Sequence, residues 1–118
     1  MKKFTFLLLI CAIFTLAPFS IHSESVTAKL SGGSGKARIE NPVEITRKDG
    51  KIFAKLVWSS KNFDYMIVEG KKYLNENEGG KSTFTVQISD LSKKTQITAD
   101  TIAMSVPHEI EYLIEFEK

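Results

Sequence analysis

The stretch "RKDGKIFAKLVW", Arg47 to Trp58, decides the fold. Asp49 and Gly50 suit a two-residue turn, because both tolerate the positive φ that a tight hairpin demands. Beyond the turn Ile52, Ala54, Leu56 and Trp58 fall on one side, while Phe53, Lys55, Val57 and Ser59 fall on the other. A period of two with one purely apolar face is the mark of a half-buried strand. No stretch of the remaining chain carries a helical apolar stripe of useful length.

Working outward, the same period recurs. Upstream, "SVTAKL" (25–30), "KARIE" (36–40) and "VEIT" (43–46) alternate, with the glycine-rich turn "SGGSG" (31–35) between the first two. Downstream come "YMIV" (65–68), a turn and short strand in "EGKKYL" (69–74), and a polar loop, "NENEGGKS" (75–82). In "TFTVQI" (83–88) Phe84, Val86 and Ile88 share a face, "SDLSKK" (89–94) reads as a turn, and "TQITADTIAMSV" (95–106) is extended. The closing run is the most informative of these. Ile110, Tyr112, Ile114 and Phe116 point one way, while Glu109, Glu111, Glu115 and Glu117 point the other with Leu113 among them. Seven to nine short strands with Gly, Asn, Asp and Ser turns predict an all-β, immunoglobulin-like antiparallel sandwich, with a small barrel as the alternative.

The first residues read differently. Lys2 and Lys3 precede "FTFLLLICAIFTL" (4–16), which ends near Pro18 and gives way to small and polar residues. That order is expected of an export signal, so residues 1–23 are assigned to a signal peptide and 24–118 to one domain. The product is then secreted or held at the extracellular surface. The only cysteine, Cys11, lies inside the signal and is preceded by Ile10 rather than a small residue, which argues against lipidation. Removing the signal leaves no thiol, so disulfides, thiol catalysis and thiolate metal sites drop out together. Without Lys2 and Lys3 the 16 basic residues fall to 14 and balance the 14 acidic ones. No long basic patch remains to grip phosphates, and nucleic acid is not an expected partner.

Catalytic signatures are absent from the sequence. "GGSGK" lies between strands and lacks the Gly-Lys-Ser/Thr ending of a phosphate loop, and neither a His-Glu-x-x-His pair nor a nucleophile elbow occurs. Glu109, Glu111, Glu115 and Glu117 step along one wet strand face, which is a solubilising pattern and not an acid and base pair. Asn75, Glu76, Asn77 and Glu78 offer oxygens to a cation without the spacing of a dedicated calcium loop. His108 and Tyr112 lie about 13 Å apart along an ideal strand, too far to share one small ion. A large planar ligand spans such a distance, and imidazole, phenolate and thioether all bind haem iron. The plainer reading makes His108 a partly exposed ring at a strand start and Tyr112 ordinary core packing.

The order of features resembles the near-iron-transporter (NEAT) family of exported bacterial haem-binding modules. The matching segments are "KARIE", "NPVEITRKDGKIFAKLVW", "VEGKKY", "STFTVQISDLSKKTQITAD" and "SVPHEIEYLIEFE", which together span nearly all of Ser25 to Glu117. The resemblance implies an immunoglobulin-like sandwich with haem held edge-on between the last hairpin and a loop after the first strand. It also implies an iron ligand at the first tyrosine of a Tyr-x-x-x-Tyr motif, with the second tyrosine supporting it. Here that motif reads His108 to Tyr112, so His takes the ligand position and becomes the metal-binding candidate. Met104 is a second ligand or pocket wall, and Ser34 and Arg38 are the candidates for the propionate end.

"LSGGSGKARIE" lacks the bulky apolar residues that cover the ring in the family. Phe63, Tyr65, Met66 and Met104 replace that cover if they face the same groove; if Tyr65 and Met66 fill the core, the likeness is to the fold alone. The expected function is non-catalytic binding of haem or a similar tetrapyrrole in iron uptake, with a surface haem-relay protein as partner. The alternative is a cell-surface interaction or adhesion module that has lost haem and displays an aromatic patch around Phe63 and Tyr65. A third reading is a module that offers an edge strand to a partner.

Overall fold

The computed structural model describes residues 21–33, 36–103 and 108–118. They form eight antiparallel strands: β1 (Ile21–Gly32), β2 (Val43–Lys48), β3 (Lys51–Val57), β4 (Phe63–Val68), β5 (Lys71–Leu74), β6 (Thr83–Ile88), β7 (Thr95–Thr101) and β8 (His108–Glu117). Hydrogen bonding runs in the order β5-β4-β7-β8-β1-β2-β3-β6. The expected sandwich is thus present, and "KARIE" contributes only a single bridge, Ile39 opposite Trp58.

Two tight turns set the register. Asp49 and Gly50 have φ of 53° and 76°, and Glu69 and Gly70 have 51° and 80°. Paired positive φ values are those of a type I′ turn, whose twist matches the flanking strands. Lys48 therefore faces Lys51, and Val68 faces Lys71.

β1 is longer than the alternation in "SVTAKL" indicates, because it serves two layers. Ile21 to Val26 pair with β2, whereas Thr27 to Gly32 pair with β8. Where the strand changes partner, the Asn41 side chain replaces a neighbouring backbone. Its Oδ1 accepts from Ala28 N at 2.8 Å, and its Nδ2 donates to Ala28 O at 3.1 Å. The core between the layers holds the faces read from the sequence: Ala54, Leu56 and Trp58, Phe84, Val86 and Ile88, and Tyr112, Ile114 and Phe116 are buried.

The two ends of the sheet, β5 and β6, are joined by side chains. The amides that point away from β3, three in β6 and that of Ser89 just past its end, are met in turn. Thr83 N donates to Asn75 Oδ1 (2.9 Å), Thr85 N to Glu76 Oε2 (2.6 Å), Gln87 N to Tyr73 Oη (3.2 Å) and Ser89 N to Glu69 Oε1 (3.4 Å). A bare row of strand donors is a template for another chain. Here the row is occupied, which counts against an edge strand offered by β6. The polar loop that the sequence offered to a cation uses Asn75 and Glu76 for this seam.

Candidate functional site

The motif lies at the head of β8. His108, Ile110, Tyr112, Ile114 and Phe116 alternate toward the inner face, and exposure falls from His108 to Ile114. His108 is exposed, Ile110 half-buried, and Tyr112 only 3% exposed. His108 stands across from Thr101, the last residue of β7. The next residue, Ile102, is 49% exposed and its amide is anchored on Asn62 O at 2.8 Å. An imidazole open to solvent therefore stands at the end of the β7–β8 pair, two positions before half-buried Ile110 on its own strand and opposite the residue that precedes exposed Ile102.

Below it is an aromatic stack. Tyr112 meets Trp58 with ring centroids 5.4 Å apart and an interplanar angle of 59°, and Trp58 meets Phe63 at 4.2 Å. Trp58 is fully buried, and its indole N–H donates to Met66 Sδ at 3.3 Å. Burial raises the Tyr112 pKa above the ordinary phenol value, so its hydroxyl stays protonated at neutral pH. That suits a supporting ring and not an anionic ligand.

The end of β1 closes on this stack. Gly32 and Gly33 have φ of 104° and 61°, values that side chains rarely adopt. A Cβ on Gly33 would stand 2.6 Å from Tyr112 Cε1 and 3.1 Å from Ile110 Cγ2. The glycine step, which looked like missing cover in the sequence, brings backbone directly onto the tyrosine ring. The Gly-Gly pair was the signal for this contact. Ser31, by contrast, lies on the outer side, where its hydroxyl donates to Leu113 O at 3.5 Å.

Arg38 is exposed, and its backbone is fixed beside Trp58: Ser59 N donates to Arg38 O (2.8 Å) and Arg38 N to Ser59 Oγ (3.1 Å). Met104 and Ser34 lie outside the described residues, so their places in the site are not part of this geometry.

The aromatic cover expected from "NFDYMIV" does not assemble as one groove. Phe63 and Met66 are buried against Trp58, and Tyr65 points to the opposite face of the sheet. A bulge at Asp64 explains it. Phe63 opposes Thr101 but Tyr65 opposes Asp100, so two steps of β4 match one of β7 and the facing of the strand reverses. The aromatic patch around Phe63 and Tyr65 fails for the same reason.

On that opposite face Tyr65, Asp100 and Glu109 form one row across three strands. Tyr65 Oη donates to Glu109 Oε2 over Asp100, and Lys72 Nζ sits 4.1 Å from the Tyr65 ring centroid. The bond to Glu109, followed by burial, pushes the Tyr65 pKa up to about 12. Asp100 is 2% exposed, its Oδ2 has no hydrogen-bond partner among the described residues, and burial with the adjacent Asp64 carboxyl raises its pKa. Among the described residues no group of three or more His, Cys, Asp or Glu side chains could hold a metal ion.

No family model matches the sequence, and no curated protein matches it. Solved structures do match. The chain is similar to the NEAT5 domain of IsdX2, a B. anthracis hemophore in complex with heme, with TM-score 0.68 and 14% identity over 83% of this chain and 97% of that one. A mutant of the same IsdX2-NEAT5 domain, also in complex with heme, matches with TM-score 0.68 and 14% identity over 83% of this chain and 96% of that one. At that identity the agreement is one of fold, and it holds over nearly the whole of the other domain: the chain has a NEAT-like β-sandwich fold.

Proposed function

We propose that this chain is an exported, non-catalytic module that binds haem or a related tetrapyrrole in iron uptake, with His108 as the axial ligand to iron. The observation that carries the reading is the solvent-open His108 imidazole at the head of β8, directly above the buried Tyr112 and Trp58 pair, in a fold shared with a haem-bound domain. Iron in a porphyrin arrives with four nitrogen ligands, so one protein donor suffices and a cluster of carboxylates is not needed.

Each residue then has a distinct role. His108 supplies the ring nitrogen, Ile102 and Ile110 give the macrocycle an apolar edge to lie against, and Tyr112, held by Trp58 and by the backbone at Gly33, fixes the floor. Met104 is the proposed opposite ligand or wall, and Ser34 and Arg38 the proposed partners of the propionates. The export signal, cut at the early end of the expected range near Ser20 so that Ile21 to Ser23 keep their pairing with β2, delivers the domain outside the cell, where an edge-on site lets cargo pass to a relay protein. When bound, the haem supplies redox-active iron; the protein holds it and transforms nothing.

The test is a titration of the purified domain with ferric and with ferrous haem, followed through the visible spectrum. A saturable Soret shift in at least one oxidation state is expected. Spectra that never depart from free haem in either state would sink the reading.

A further inference from the structure

The outer face of β4, β7 and β8 carries carboxyls that no cation on it neutralises. Tyr65, Asp100 and Glu109 make one row across these strands, and Ile67, Thr98 and Glu111 make the next. Asp64 joins them at the bulge, near enough for its carboxyl to act on Asp100. Among the described residues, ion pairs join Lys29 to Glu117, Lys81 to Glu40, and Arg47 and Lys118 to Glu24. None of them reaches Asp64, Asp100, Glu109 or Glu111. Lys72, at the β5 end of the second row, holds its ammonium over the Tyr65 ring and makes no ion pair with these carboxyls. His108, the one positive influence on Asp100, belongs to the inner face and to the haem reading.

Asp100 points to what the face receives. It is 2% exposed, and its Oδ2 has no hydrogen-bond partner among the described residues. Buried polar atoms are ordinarily met. Burial above all raises the Asp100 pKa, so its ionised form weakens the fold at neutral pH. A group that costs its own fold stability marks a site kept for binding. The oxygen is covered by one hydrogen bond between outward side chains, from Tyr65 Oη to Glu109 Oε2. A donor arriving at Glu109 in place of the Tyr65 hydroxyl opens the way to it. The carboxyls do not converge on a point as a metal ion requires. They stand on neighbouring strands about 5 Å apart, which suits a planar guanidinium, whose several N–H groups reach separate acceptors at once. At the other end of the first row Leu74, paired with Tyr65, is 69% exposed.

We infer that this face docks a partner protein through an arginine whose guanidinium spans Asp100 and Glu109, with an apolar side chain of the same segment on Leu74. The inference stands apart from the haem reading, since neither Asp100 nor Leu74 takes part in that site and the test uses haem-free protein.

Titration of the isotope-labelled, haem-free protein with the peptide acetyl-Leu-Ser-Arg-Ser-Leu-amide, read through amide shifts, tests it. Peptides with citrulline or lysine in place of the arginine are the neutral and the unforked counterparts. Saturable shifts are expected at Tyr65, Leu74, Asp100 and Glu109, with the citrulline peptide weaker by about tenfold or more and the lysine peptide between the two. Asp100→Asn, which leaves the haem titration unchanged, weakens the arginine peptide about tenfold. Leu74→Ser weakens all three peptides by about threefold to tenfold. Equal affinity for the arginine and citrulline peptides, shifts that fail to saturate, or arginine binding that ignores Asp100→Asn would overturn the inference. So would the same amides answering to calcium chloride and not to the arginine peptide.

Discussion

Gly33 and Tyr112, 79 positions apart in the chain, are in contact so close that a Cβ on the glycine would fall 2.6 Å from the tyrosine ring. The end of β1 and the middle of β8 are thereby locked across the candidate site. Gly33→Ala imposes both a left-handed residue with a side chain and a clash with Tyr112 Cε1. A loss of about 2 kcal/mol is expected in denaturant unfolding. The same variant should move the Trp58 fluorescence, since Tyr112 cannot give way without shifting its partner.

Met66 does more than fill volume. A Met to Leu exchange in a core ordinarily costs less than about 1.5 kcal/mol. Here it also removes the sulfur that accepts the Trp58 indole N–H inside a fully buried site, and an unmet buried donor costs about 1–3 kcal/mol. Met66→Leu is therefore expected to lose more than the exchange alone accounts for. An indole proton resonance that shifts upfield in the variant would identify the lost bond as the cause.

Asp100 makes stability depend on pH in a defined direction. Its folded pKa lies above the ordinary 3.8, through burial and then the neighbouring Asp64, with Glu109 adding to the shift and His108 opposing it. A carboxyl raised in this way is harmless to the fold below 3.8 and weakens it progressively as pH rises through the folded value. Asp100→Asn, which never ionises, should raise Tm at pH 7, with the gain vanishing by pH 3. A variant less stable than the parent at pH 7 and equal to it at pH 3 would show that the carboxylate form has a partner it needs.

The seam between β5 and β6 keeps the sheet from growing. Replacing Asn75 and Glu76 together by Ala frees the amides of Thr83 and Thr85 and two adjacent rungs of the ladder. An exposed pair of donors on a strand edge invites a second copy. Sedimentation should show the parent as the smaller species and the double variant with a concentration-dependent dimer. Identical sedimentation of both would mean that the ladder is not what protects the edge.

The alternation in "KIFAKLVW", "TFTVQI" and "EIEYLIEFE" specified most of the core, because period two maps directly onto the two faces of a strand. What the pattern missed lies where that mapping fails. The bulge at Asp64 put Phe63 with Met66 in the core and sent Tyr65 to the other face, and a bulge of one residue leaves no mark in hydrophobicity. Asp100 occupies an outer position and should be wet, yet the bond between Tyr65 and Glu109 closes over it. Period two placed His108 and Tyr112 on one side of the last strand, and the role proposed for them came from the resemblance to the NEAT family. Their support was not legible, since Gly33 and Trp58 reach Tyr112 through contacts distant in sequence.

The most direct measurement is the resonance Raman spectrum of the ferrous haem complex prepared with ¹⁵N-labelled histidine. The chain holds only two histidines, and His22, opposite Arg47, lies toward the other end of the sandwich. The account predicts an iron–nitrogen stretch that moves with the label, survives His22→Ala and disappears in His108→Ala. A complex whose spectrum ignores the label, or keeps the band in His108→Ala, would contradict it.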